Sequence, residues 1–288
     1  MRLSFAKLLV CLCLSGIART VAQDSAAVIT DGFQTRPDWT PRKVISAVTF
    51  GGVLCGSLVS SYYDWWNDQS QPFHFTREGW FNDYSLGIDK VGHVYTSYFY
   101  FHTFRNLLLW GGFQPPTAFW WAAGTTAFFA LSIEIGDGLS PYGFCVQDLI
   151  ANGVGLAYAM LQTKFEYLKN FNLKWSYVAP DGYRWPPRFT DHYDGHTYWL
   201  TFNMHNLLPG KVGESWPEFL QLAAGYGVDD NMTKREFVIG LDVNLGALSV
   251  HNEDWLLLSK TVDMIHFPLP AVEYTEGKGV RAYMFYKN

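Results

Sequence analysis

Asp89-Lys90-Val91-Gly92-His93 opens a stretch, running to Gly155, in which a few ionisable side chains lie inside the most apolar part of the chain. Glu134, Asp137-Gly138, Asp148 and Asn152 follow, separated by runs of Val, Leu, Ile, Ala, Phe, Tyr and Trp. Charge in such a setting is costly unless it is paired or used, so these residues mark a candidate site. The same stretch decides the fold of the first half. Asp89 begins a helix that continues through His102 and Arg105 to Trp110, and Gly111-Gly112 with Pro115-Pro116 ends it. A second apolar helix is expected from Thr117 to Ile135, then a turn at Asp137–Gly143, then a helix from Phe144 to Phe165. On that last helix Asp148, Asn152 and Gly155 share one stripe, and Asp89 and His93, four apart, share a face of theirs.

Working towards the N-terminus, residues 62–86 mix aromatic and polar groups, as in Tyr63-Asp64-Trp65-Trp66 and Trp80-Phe81-Asn82-Asp83. That mixture suits a membrane–water boundary or an aromatic loop packed on a helical core. Val44–Ser61 reads as a helix of small and β-branched residues, with Gly51, Gly52 and Gly56 permitting close helix approach. At about 18 residues it is near the lower limit for a bilayer span. Residues 24–43 read as a polar, proline-marked lead-in. Arg2 and Lys7, the apolar run Leu8–Ile17 and Thr20-Val21-Ala22 form a secretory signal over residues 1–22. Its removal takes away Arg2, Lys7 and Arg19 and no acid, moving the formal net charge from −5 to −8. Val10-Cys11 and Leu12-Cys13 lack the small residue that lipoprotein processing prefers before cysteine. Cys55 and Cys145, both in apolar runs, are expected as buried thiols rather than a bridge.

Beyond Lys164 the character changes. Residues 169–196 read as a basic, aromatic linker containing Asp181-Gly182 and Pro186-Pro187. Alternating runs at Thr197–Met204, Phe219–Tyr226, Phe237–Leu245 and Val280–Tyr286 predict strands, with one helix over Asn252–Ile265. The fold class is therefore α+β: an apolar four-helix bundle over residues 23–168, with helices that are candidate membrane spans, followed by a small antiparallel β-rich region over residues 197–288. Four short strands cannot close a membrane barrel, which needs at least about eight. Asp191-His192-Tyr193-Asp194-Gly195-His196 reads as a solvated turn.

Aromatic residues make up 18% of the chain and charged residues only 16%, against roughly 25% charged in an ordinary soluble protein. The composition points to membrane lipid as a partner, and the acidic balance argues against nucleic acid. Two function classes remain open. In one, the polar residues join the helices of a structural or interaction module whose β-rich region meets an envelope protein. In the other, Asp89, Lys90, His93, Glu134 and Asp148 act on an envelope lipid or wall precursor by acid–base chemistry, with Asp89 orienting His93 and Lys90 steadying a phosphate. A metal-assisted form would place a divalent ion on His93, Glu134, Asp137 and Asp148. Asn152 and Gly155 serve helix packing in either case.

The pattern Asp89-Lys90-x-x-His93, Glu134-x-x-Asp137-Gly138 and Asp148-x-x-x-Asn152-x-x-Gly155 resembles the YfiM-like family of predicted periplasmic or membrane-associated bacterial envelope proteins, and more distantly the VanZ-like family. The resemblance covers about residues 87–162. Asp137 stands where the VanZ-like pattern has glutamine, and residues 180–288 have no counterpart in short YfiM-like proteins. It implies an exported envelope protein with a periplasmic C-terminal region and supplies no reaction.

Overall fold

A computed structural model describes residues 29–36, 38–180, 182, 192–248 and 252–286. The expected signal segment and much of the expected linker lie outside these residues. The chain divides into two compact units. The first takes the described residues up to Thr76 with 100–145 and 252–257; the second takes 77–99, 146–248 and 258–286.

In the first unit, a short hairpin of β1 (Ile29–Thr30) and β2 (Phe33–Gln34) turns at Asp31-Gly32, both at positive φ. Helix α1 (Pro41–Ser61) starts at Thr40, whose hydroxyl accepts the Lys43 N–H, with Pro41 in the first turn, where its missing donor does no harm. It runs on through a π-helical turn at Tyr62–Trp66. Helix α2 (Ile88–Trp110) gives its second half to this unit, where the Phe104 ring meets Phe50 of α1 at 4.7 Å. Helix α3 (Pro115–Gly138) packs Phe129 on Tyr100 at 4.6 Å. The buried positions of α1 and α3 leave outward stripes with no charge. On α1 these are Val44, Ile45, Val48, Val53 and Val59; on α3 they are Trp120, Phe128, Leu131 and Ile135. Both helices are long and apolar enough to cross a membrane by length and composition. Arg105 forms an ion pair with Asp31 at 2.6 Å. A parallel pair, β3 (Phe75–Thr76) with β4 (Phe144–Cys145), closes the unit. Neither Cys55 nor Cys145 is in a disulfide.

The second unit combines the first half of α2 and helix α4 (Val146–Gln162) with a six-stranded antiparallel sheet. The strands are β5 (Phe171–Tyr177), β6 (His196–Phe202), β7 (Leu220–Val228), β8 (Arg235–Val243), β9 (Ala271–Thr275) and β10 (Gly279–Tyr283), each paired with the next in sequence. Short helices α5 (Met204–Leu207) and α6 (Gly210–Ser215) join β6 to β7, and α7 (Glu253–Val262) precedes β9. All four long helices stand where the sequence places them, but they are divided between two units rather than gathered in one expected bundle. Within the second unit, α4 is held to the first half of α2, because a Cβ on Gly155 would come within 2.0 Å of the Val94 carbonyl oxygen.

β5 falls inside the segment expected as a linker, and β9 was not expected. The segment after α7 also runs beside the sheet edge. Trp175 N–H donates to Met264 O at 3.1 Å, His266 N–H to Trp175 O at 2.9 Å, and Tyr286 N–H to Leu269 O at 3.2 Å. The β5 edge and the residues that follow β10 thus reach the 264–269 segment, and buried Trp199, Ala223, Val238, Ala271 and Tyr286 pack together inside.

Candidate functional site

Lys90 stands near the start of α2, and its side chain is 3% exposed. Its ammonium lies 2.8 Å from Asp89 Oδ2 and 2.6 Å from Asp148 Oδ1, contacts Glu78 Oε2, and is 4.0 Å from Asp83 Oδ2. These groups come from three places in the second unit: the loop 77–87, the first turn of α2 and the first turn of α4. A carboxylate in a helix's first turn faces the positive end of the helix dipole, which favours Asp89 and Asp148 as anions there. Asp83 folds the loop by accepting N–H bonds from Ser85 and Gly87 at 3.1 and 2.9 Å. The loop is then tied to the sheet, since Tyr226 donates to Leu86 O and Arg235 to Phe81 O, both at 2.5 Å.

Asp89 and Asp148 each use one oxygen for Lys90 and turn the other towards His93. The His93 Nε2 atom is 3.6 Å from Asp89 Oδ1 and 3.9 Å from Asp148 Oδ2. Its Nδ1 is 3.1 Å from the Asn152 amide nitrogen, and Asn152 Oδ1 accepts the Ser97 hydroxyl at 2.8 Å. With Asn152 as donor, His93 Nδ1 is the acceptor, and the ring hydrogen sits on Nε2 facing the two carboxylates. Tyr193 completes the corner, its hydroxyl donating to Asp89 Oδ1 at 2.9 Å.

The electrostatics follow from this crowding. Burial acts to raise the Asp89 pKa, but His93, Lys90 and the Tyr193 hydroxyl outweigh it and hold the carboxyl below its ordinary value. For Glu78 burial wins over Lys90, and the pKa is raised. Burial alone would lower Lys90; Asp89, Asp148 and Glu78 raise it instead, so it stays charged. Burial and the Asp89 charge together push Tyr193 up, keeping its hydroxyl a donor. Four carboxylates surround one lysine, so the cluster carries an excess of negative charge. The ligand atoms of Asp89, His93 and Asp148 lie within 4.8 Å of one another, a carboxylate and imidazole set of the kind that holds a divalent ion.

The structure thus brings Asp89, Lys90, His93, Asp148 and Asn152 into one cluster. Glu134 and Asp137 belong to the first unit. There Glu134 is buried and takes the Cys145 N–H at 3.4 Å, while Asp137 accepts the Trp66 indole N–H at 2.7 Å. Glu78, Asp83 and Tyr193 were not foreseen; Asp83 lies in a visible polar–aromatic run, but nothing in the spacing ties these three to Lys90. His196, expected in a solvated turn, is instead buried at the start of β6 and accepts the Trp175 indole N–H at 2.9 Å.

Fold and cluster together define a mixed α and β protein with apolar helix faces and a buried lysine–carboxylate network. Residues 77–164 match the model of a family described as "Predicted periplasmic lipoprotein (DUF2279)". That span holds Glu78, Asp83, Asp89, Lys90, His93, Asp148 and Asn152, and it fits a periplasmic protein of the cell envelope. The match begins beyond Cys11 and Cys13, so it bears on neither. No curated protein and no solved structure gives a significant match to the chain.

Proposed function

We propose that this chain is a membrane-associated structural or interaction module of the bacterial cell envelope, in which the Lys90 cluster locks the 77–87 loop, α2 and α4 into one register. The observation that carries this reading is the buried Lys90 ammonium, met by carboxylates from all three segments. The uncharged outward stripes of α1 and α3 support insertion of these helices in lipid, and the YfiM-like resemblance, with the more distant VanZ-like one, supports export to the envelope. The test is the stability of purified His93→Ala and Asp148→Ala proteins, each beside its ability to rescue a deletion strain. Removing one partner of a buried ion pair costs about 3–5 kcal/mol, so Asp148→Ala should be strongly destabilised. Two variants that stay fully folded and still fail to rescue would replace the structural reading with a working site.

A second reading is favoured by the negative excess at the His93 corner. Asp89, His93 and Asp148 would hold a divalent ion, with Asn152 orienting the imidazole, and such an ion would polarise a phosphate or activate water. Calorimetric titration of the full chain with manganese or zinc should then give one site that His93→Ala abolishes. No binding by the wild-type chain removes this reading.

A further inference from the structure

The six-stranded sheet buries charged side chains beside its apolar core on one face and carries mostly apolar side chains on the other. Along β5–β9 the buried side carries Lys174, Thr201, Gln221, Asp242, Glu236 and Glu273, all under a tenth exposed. The charged groups have partners: Lys174 reaches Asp242 and Asp263 at 2.7 and 2.9 Å, and Glu273 accepts the hydroxyls of Tyr283 and Tyr286 at 3.1 and 3.0 Å. The alternate positions point the other way and, apart from His196 at the start of β6 and Arg235 at the start of β8, are apolar or aromatic. On β5 and β6 that side is covered, with the Tyr95 ring of α2 lying against Trp175 and Tyr198. On β8–β10 no described residue covers it, and Phe237, Ile239, Val272, Tyr274 and Val280 are between 46% and 69% exposed.

An antiparallel sheet in water buries its apolar face and wets its polar one. Here the strands bury charge and expose hydrocarbon, which is the alternation that lipid selects on membrane-facing strands. We infer that the outer face of β8–β10 is a lipid-binding surface that seats in the hydrocarbon of a phospholipid bilayer. Two further features agree. β7 and β8 have nine residues each, close to the roughly 9–11 of a tilted strand matched to a bilayer. Lipid also demands that edge backbone groups be paired internally, and the β5 edge exchanges bonds with the 264–266 segment through Trp175.

This deepens the membrane reading above but uses a different face, so the two can fail separately. The experiment places a spin label at Ile239→Cys and at Val272→Cys, with Glu214→Cys, an exposed site on α6, as reference, each in a full chain whose four native cysteines are replaced by Cys11→Ser, Cys13→Ser, Cys55→Ser and Cys145→Ala. The proteins are bound to phosphatidylethanolamine–phosphatidylglycerol vesicles, and flotation confirms binding. The expected result is that labels at 239 and 272 relax with oxygen in preference to a water-soluble nickel complex, with the reverse at 214. Flotation with labels at 239 and 272 open to nickel overturns the sheet proposal and leaves helix insertion standing. Labels shut off from both reagents also overturn it, because a protein surface or second copy then covers the face. Failure to float overturns both readings.

Discussion

The second unit holds two lysine-centred clusters, and they differ in how completely they are closed. Around Lys174 the sealing is nearly total. Lys174, Asp242 and His266 have no exposed side-chain surface, His266 stacks on Trp199 at 3.8 Å, and the ammonium also donates to Val243 O at 2.7 Å. Around Lys90 only the ammonium is sealed, while His93 and Glu78 remain one-fifth exposed and the carboxylates outnumber the cations. Each cluster pairs one lowered with one raised carboxyl. Asp242 is lowered, because His266 and Lys174 outweigh its burial, and Asp263 is raised because burial outweighs Lys174. The contrast teaches that ion pairing alone does not mark a site. What distinguishes the Lys90 cluster is a reachable imidazole beside two carboxylates.

The comparison can be broken most forcefully at the sealed cluster. Lys174→Met strands Asp242 and Asp263 without a cation, and it should cost about 3–5 kcal/mol in denaturant unfolding. A loss smaller than that of Lys90→Met would reverse the ranking of the two. A smaller effect is expected from Gly155→Ala, which forces α4 away from Val94 and loosens the frame of the Lys90 cluster alone. Overpacking of this kind costs about 1–3 kcal/mol, and hydrogen exchange should quicken in α4 while β6–β8 stay protected.

The smallest effect is a calibration at a third lysine–aspartate pair, Lys278 with Asp229 at 2.9 Å, in which the lysine is exposed. Burial pushes the Asp229 pKa up, but Lys278 and the N–H groups of Thr233 and Lys234 outweigh it and hold it down at about 2. A lowered carboxyl stabilises the fold above its ordinary value of 3.8, and the contribution disappears as pH falls through about 2. Asp229→Asn should therefore be less stable than wild type at neutral pH and equal to it at the acid end of that window. A constant difference at all pH values would rule out the linkage.

The helices were legible because their signals are local. Pro41 opens α1, Gly111-Gly112 and Pro115-Pro116 separate α2 from α3, and Gly143 at positive φ precedes α4. The Asp89, His93, Asp148 and Asn152 group was visible for the same reason, since helical spacing puts each pair on one face. Glu78 and Tyr193 were not, because a flexible-looking loop and a short turn reach Lys90 only through tertiary folding. β5 and β9 escaped for a different cause. Their buried residues include Lys174, Ser176, Glu273 and Thr275, so the usual reading of polar as exposed turns Phe171–Tyr177 into a linker.

The central claim is that Lys90 holds three segments of the second unit together, and equilibrium unfolding of Lys90→Met in the full chain tests it most directly. With four carboxylates left facing one another, the variant should lose about 3 kcal/mol, with early opening of the 77–87 loop and α4. A stability within about 0.5 kcal/mol of wild type, the scatter of an ordinary surface substitution, would contradict the claim.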